Sequence, residues 1–182
     1  IVLNVYEDDI RKKVEEEINS RIEAVVEFDK LDLSLWRHFP NVTLTLSELS
    51  IAGRDAFSGD TLLSAPQFHV ELSTLSFFKG EIDLRSIQLV EPDILVRVLK
   101  NGNANYLIMK TDSTASASGE DSDFKVQIDE LIIEKGSIVY QDALTQTNLF
   151  MVDFDHRGKG DFSKDVFDYE TTTSVGELSV NY

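Results

Sequence analysis

The sequence predicts a mainly β protein of the α+β kind: an amphipathic N-terminal helix packed on a curved, elongated antiparallel sheet that forms an open trough. Three observations carry this. Apolar residues recur every fourth position near the N-terminus and every second position afterwards. Turn-forming pairs punctuate the chain at strand-length intervals. The pattern apolar-x-x-apolar-x-apolar occurs at Leu46 (LSELSI), Leu84 (LRSIQL) and Ile128 (IDELII), near Gly53, Pro92 and Gly136. The copies stand roughly forty residues apart, room for two or three short strands in each unit.

The helix is expected over residues 1–25. Tyr6, Ile10, Val14, Ile18 and Ile22 form one apolar stripe, Asn4 and Glu7 have the spacing of a capping box, and charged residues fill the other faces. Its acidic back (Glu7, Asp8, Asp9, Glu15, Glu16, Glu17, Glu23) differs from the basic face of a membrane-surface helix, so packing on the protein's own sheet is the expectation.

Residues 26–182 are expected to form repeated antiparallel β-units. Phe28, Leu31, Leu33 and Leu35 open the strands, and Val42 to Ser47 and Phe68 to Ser73 alternate cleanly. Later apolar runs begin at Ile82, Ile94, Val126 and Ile138. Ala52-Gly53, Lys79-Gly80, Glu91-Pro92, Asn101-Gly102-Asn103, Lys135-Gly136 and Arg157-Gly158 supply the turns. Residues 111–123 contain no large apolar side chain and read as a flexible loop. A step of three inside a strand throws the next apolar residue to the wrong face unless a bulge or bend intervenes. Extra residues at Ser47-Glu48, Arg85-Ser86 and Asp129-Glu130 would coil the sheet into a trough; simple strand-turn-strand junctions are the alternative.

Composition narrows the function. With 33 acidic and 17 basic residues among 182, the formal charge is −16, which repels phosphate backbones and argues against nucleic acid. There is no cysteine for thiolate metal sites or disulfides. His38, His69 and His156 lack ligand spacing, and the stretch from Asp153 begins like a calcium loop but has Arg157 and Lys164 where oxygen ligands belong. Neither a metal nor a cofactor is expected, and no catalytic signature suggests an enzyme. The chain opens on Ile1-Val2-Leu3, which reads as a cut that leaves something upstream.

The start NVYEDDIRKKVEEEINSRIEAVVEF, the step Trp36-Arg37-His38-Phe39-Pro40, DTLLSA at Asp60, LRSIQLVEP at Leu84, KNGNANY at Lys100 and IDELIIEKGSIVYQD at Ile128 together resemble AsmA-like proteins of Gram-negative bacteria, in particular those of Bacteroidetes type. The resemblance runs over nearly the whole chain and rests on strand and turn motifs. It implies a periplasmic β-trough, anchored to the inner membrane by an upstream transmembrane helix, that carries phospholipid between the inner and outer membranes. Candidate lipid-binding residues are then the alternating apolar face: Val42, Leu44, Leu46, Phe68, Val70, Leu72, Ile82, Leu84, Ile94, Val96, Val98, Val126 and Ile128. The alternative is a structural or regulatory envelope module with a closed core, which meets protein partners through an edge strand and affects outer-membrane assembly without carrying lipid.

Overall fold

In a computed structural model, residues 15–16, 18–20, 22–38, 40–74, 84–108, 129–160 and 168–182 are described. Nine strands form one sheet: β1 (Ala24–Glu27), β2 (Lys30–His38), β3 (Asn41–Gly53), β4 (Thr61–Ser73), β5 (Leu84–Val90), β6 (Asp93–Val98), β7 (Glu130–Asp142), β8 (Thr147–Gly160) and β9 (Tyr169–Asn181). Strands β1 and β2 lie end to end along β3, and β5 and β6 lie end to end between β4 and β7. Seven strand widths therefore run from β1–β2 at one edge to β9 at the other.

The expectation of an antiparallel sheet needs one correction, because β7 runs parallel to both β5 and β6. Tight turns make antiparallel neighbours, whereas a parallel pair needs a connection of roughly a dozen residues or more. The long segment between Val98 and Glu130 provides it and brings the chain back to the starting end. The Leu84 and Ile128 motifs consequently lie side by side in register, Ile87 opposite Leu131 and Leu89 opposite Ile133.

Four strand widths take a left-handed residue at the same level, in β3, at the β5–β6 junction, in β7 and in β8. Glu48, Glu91, Lys135 and Asp153 adopt φ of 53°, 50°, 51° and 49°, a region that non-glycine residues seldom occupy. Glu48 stands opposite Pro66, between the pairs Ser47–Gln67 and Leu49–Ala65, and the register continues past it unbroken. Glu91 and Lys135 are level with each other, since Val90 pairs with Glu134 and Asp93 with Ser137. At the edges the line passes through the break between β1 and β2 and through Gly176, which faces Asp153. This crease crosses the strands, so it runs along the trough.

The bend differs from the extra-residue bulges expected at the three motifs. At Glu48 a left-handed backbone, with no inserted residue, turns Leu46 and Leu49 to the same side. Arg85 is an inserted residue, because Ser86 pairs with Glu71 and Leu84 with Leu72. In the third copy the pairing of Glu130 with Lys159 shows no shift, and the bend falls later, at Lys135.

Side chains from both sides of the crease meet in the core cluster of Val26, Phe28, Leu31, Leu46 and Leu49, so the apolar face is the concave one. Ile18 and Ile22 of the N-terminal segment, helical over the described residues 15–16 and 18–20, pack against this cluster. Asn19 fixes the approach: its Oδ1 accepts from the Val26 N–H at 3.0 Å, and its Nδ2 donates to the carbonyls of Glu15 and Val26. The helical reading up to residue 25 is cut short by β1, which begins at Ala24. The remainder of the helix stripe and the loop at 111–123 lie outside the described residues.

The convex face carries polar pairs beside an apolar strip of Leu95, Val139 and Phe150. Thr45 Oγ1 and His69 Nδ1 are 2.9 Å apart, Arg97 reaches Asp60 at 2.8 Å and Gln141 at 3.2 Å, and Glu130 pairs with Arg157 and Lys159. Asn105, buried among the loop residues after β6, donates to the Leu95 carbonyl at 2.6 Å and accepts from the Arg97 N–H at 2.8 Å. It thereby satisfies the β6 edge where β4 has ended.

Candidate functional site: a creased apolar trough

Directly paired residues project from the same face of a sheet, so the register traces the trough wall by wall. On the first wall, Leu31, Leu46, Phe68, Leu89, Ile133, His156 and Thr173 form one row from β2 to β9. A second row beside it is Leu33, Leu44, Val70, Ile87, Leu131, Gly158 and Thr171. Across the crease, the other wall carries Val26, Ile51, Leu63, Ile94, Ile138, Met151 and Leu178. Val96, Tyr140, Leu149 and Val180 extend that wall.

The expected lining residues fall on these rows. Val42, Leu44, Leu46, Phe68, Val70, Leu72 and Leu84 are on the first wall, and Ile94, Val96 and Val98 on the second. Ile82, Val126 and Ile128 lie outside the described residues. Val42 and Leu46 are 1% and 2% exposed and Val70 is also buried, while the other described members are half-buried.

Exposure rises along the trough. At the β1–β3 end the N-terminal segment and the converging walls bury the apolar rows. At β9 every residue is exposed, and Leu178 and Val180 reach 60% and 48%. The apolar rows are thus covered at the β1–β3 end and exposed at β9.

Sequence reasoning stopped at Ile128 and left out Tyr140, Leu149, Met151, Leu178 and Val180. A signal for the last two was present: Val175 to Val180 reads VGELSV, a further copy of apolar-x-x-apolar-x-apolar close to LSELSI at Leu46. Hollows elsewhere, such as one of about 250 Å³ lined in part by Glu23, Arg54, Phe57 and Asn105, lie off these rows.

Electrostatics mark the rim rather than the lining. Asp142, at the end of β7, accepts hydrogen bonds from the backbone N–H groups of Leu144 and Thr145 at 2.8 and 3.1 Å and from the Tyr140 hydroxyl at 3.2 Å. Donation from Thr145 is the main influence holding its carboxyl below the ordinary value, against a smaller opposing effect of burial. Tyr140 is shifted upward, first by burial and then by the hydrogen bond and charge of Asp142. The rest of the rows is hydrocarbon, glycine, hydroxyl and one imidazole.

The rows present a largely apolar surface with few polar groups on it. The stretch from Asp153 that begins like a calcium loop is part of strand β8, and the described residues contain no group of three or more His, Asp or Glu placed to hold a metal. None of the described helices is long and apolar enough to cross a membrane.

No curated protein matches the chain. Residues 1–179 match the AsmA family, in accord with the strand and turn motifs and with the single creased sheet they build. The chain belongs to the AsmA family, which is associated with proteins of the bacterial envelope.

Proposed function

We propose that this protein holds phospholipid acyl chains in its trough and serves their passage between the inner and outer membranes. In this reading it works in the periplasm, without catalysis, on a chain tethered to the inner membrane by an upstream helix. One observation carries the reading: the row from Val26 through Ile51, Leu63, Ile94, Ile138 and Met151 to Leu178 stays apolar from the covered end to the exposed edge. A solvent-facing strand usually alternates with polar residues, and a long apolar lane ending in exposed Leu and Val marks a surface meant to be covered.

The energetics are adequate. Each methylene removed from water contributes about 0.8 kcal/mol, so half a dozen give about 5 kcal/mol without any polar contact. At ~4.8 Å per strand the seven strand widths span roughly 30 Å, enough for an acyl chain and too short to link two membranes. Binding here is therefore one segment of a longer path. The formal charge of −16 makes nucleic acid an unfavourable partner.

Native mass spectrometry of the protein purified from bacterial membranes tests the proposal. Co-purified phospholipid is expected, and Met151→Glu or Leu178→Glu should reduce it about tenfold or more, because a carboxylate in the lane must be desolvated. Lipid-free protein, or equal lipid in both variants, would overturn the reading and favour an envelope interaction module with a closed core.

A further inference from the structure

The two walls of the trough part company at β8. On the wall beyond the crease, Ile138 is followed by Met151 and Leu178, all apolar. On the first wall, Ile133 is followed by His156 and Thr173, and Leu131 by Gly158 and Thr171. At its β9 end the groove therefore has one oily side and one hydrogen-bonding side, a few residues apart along the same strands.

The polar side is organised. His156 Nδ1 lies 2.8 Å from Thr173 Oγ1, and its Nε2 lies 3.0 Å from the Tyr169 hydroxyl. The ring is stacked with Phe154, with 6.1 Å between centroids and an interplanar angle of 9°. Tyr169 reaches His156 by crossing Gly158: a Cβ on that glycine would overlap the Tyr169 ring. The sheet therefore keeps a glycine at the point where the phenol lies over it.

The charge on this wall is equally informative. Successive β8 residues point to opposite faces, so Asp155, Arg157 and Lys159 alternate away from His156 and Gly158, as Glu170 does from Tyr169 and Thr171. Among the described residues of β8 and β9 on this wall, no Lys or Arg faces the groove. The described residues of β8 and β9 offer a phosphate no cation on this side, whereas a hydroxyl could exchange hydrogen bonds with the Thr173 and Tyr169 hydroxyls, which both donate and accept and are held by the two ring nitrogens of His156.

Resting on the reading of the trough as a lipid site, we propose that its β9 end orients an amphiphile: the tail lies on Met151 and Leu178, and an uncharged, hydroxyl-bearing headgroup of the glycerol or sugar type is read by the Tyr169 and Thr173 hydroxyls, which His156 holds in place. Oligosaccharide without a tail would lack the apolar lane, and a tail without hydroxyls would leave the polar wall unused.

The test loads the 182-residue protein from mixed micelles with equal amounts of monoglucosyl diacylglycerol, phosphatidylglycerol and phosphatidylethanolamine of matched chains, and quantifies bound lipid by mass spectrometry. Wild type should retain the glucosyl lipid about fivefold over phosphatidylethanolamine, the ratio expected from one or two net hydrogen bonds. Phosphatidylglycerol, with headgroup hydroxyls but also a charged phosphate, should fall between. The double variant His156→Leu/Thr173→Val should hold as much total lipid with the ratio reduced to less than about twofold, and His156→Gln should restore part of it. Circular dichroism checks that both variants fold. A flat headgroup profile in wild type, or a preference that survives the double variant, would overturn the proposal while leaving acyl binding in place. Failure of wild type to hold any of the three lipids would remove both readings together.

Discussion

Gly176 lies so close to Asp153 that a Cβ built on it would stand 2.9 Å from the Cβ of Asp153 and 3.3 Å from the Val152 carbonyl oxygen. The two residues face each other where β8 takes the left-handed conformation, with Asp153 at φ 49°. Gly176→Ala is thus expected to push β9 away from β8 at the crease. Amide hydrogen exchange should report it, with Leu178 and Val180 exchanging about tenfold faster while β3 and β4 keep their protection.

Glu48 makes the same bend in β3, one strand in from the opposite edge, at φ 53°. A β-branched residue is strained in that conformation, and glycine accepts it. Glu48→Val should destabilise by about 1–2 kcal/mol in urea unfolding, whereas Glu48→Gly should stay within roughly 0.5 kcal/mol of wild type. Equal losses in both would point to the carboxylate instead of the backbone.

Asp142 organises the turn between β7 and β8 through the N–H groups of Leu144 and Thr145. Its folded carboxyl sits below the ordinary value of 3.8. Ionised Asp142 therefore supports the fold fully above that value, and the support is lost as pH falls through the depressed one. The Leu144 and Thr145 amide signals in NMR should hold steady on acidification to about pH 4 and move below it. In Asp142→Ala they should already sit at the low-pH positions at neutral pH.

Leu46 on the first wall and Leu178 on the second both belong to the apolar face but have opposite surroundings, 2% and 60% exposed. Leu46→Ala should cost about 2–5 kcal/mol by opening a cavity in the cluster with Val26, Phe28, Leu31 and Leu49. Leu178→Ala should change stability by less than about 0.5 kcal/mol. Only Leu178→Ala should weaken binding of a fluorescent fatty-acid probe without lowering the unfolding midpoint.

Much of this was legible from residue order alone. The switch from a period near four to a period of two places the N-terminal segment and the strands, and the alternation through Val42, Leu44 and Leu46 identifies one face of β3. The parallel pairing of β7 was not legible. It depends on where a long connection delivers the chain, and the apolar pattern of Leu131 and Ile133 is compatible with either direction.

The crease was half legible. The step of three in LSELSI requires a correction of the backbone near Glu48, but no local propensity puts Glu91 or Lys135 in left-handed conformations, and Asp153 has only the modest preference of an aspartate. Each is accepted because the neighbouring strand turns at the same level, a condition set by register across the sheet.

By itself the sequence determined the fold class, the amphipathic start and the apolar alternation of each strand, because these follow from periodicity, which is local. Tertiary structure alone decided which copies of that alternation became core and which became exposed groove. LSELSI and VGELSV are nearly the same string, yet Leu49 is 4% exposed and Leu178 60%. Burial depends on what lies opposite a residue: Leu49 meets the converging walls and the cluster packed by Ile18 and Ile22, and Leu178 stands on an edge strand with one neighbour.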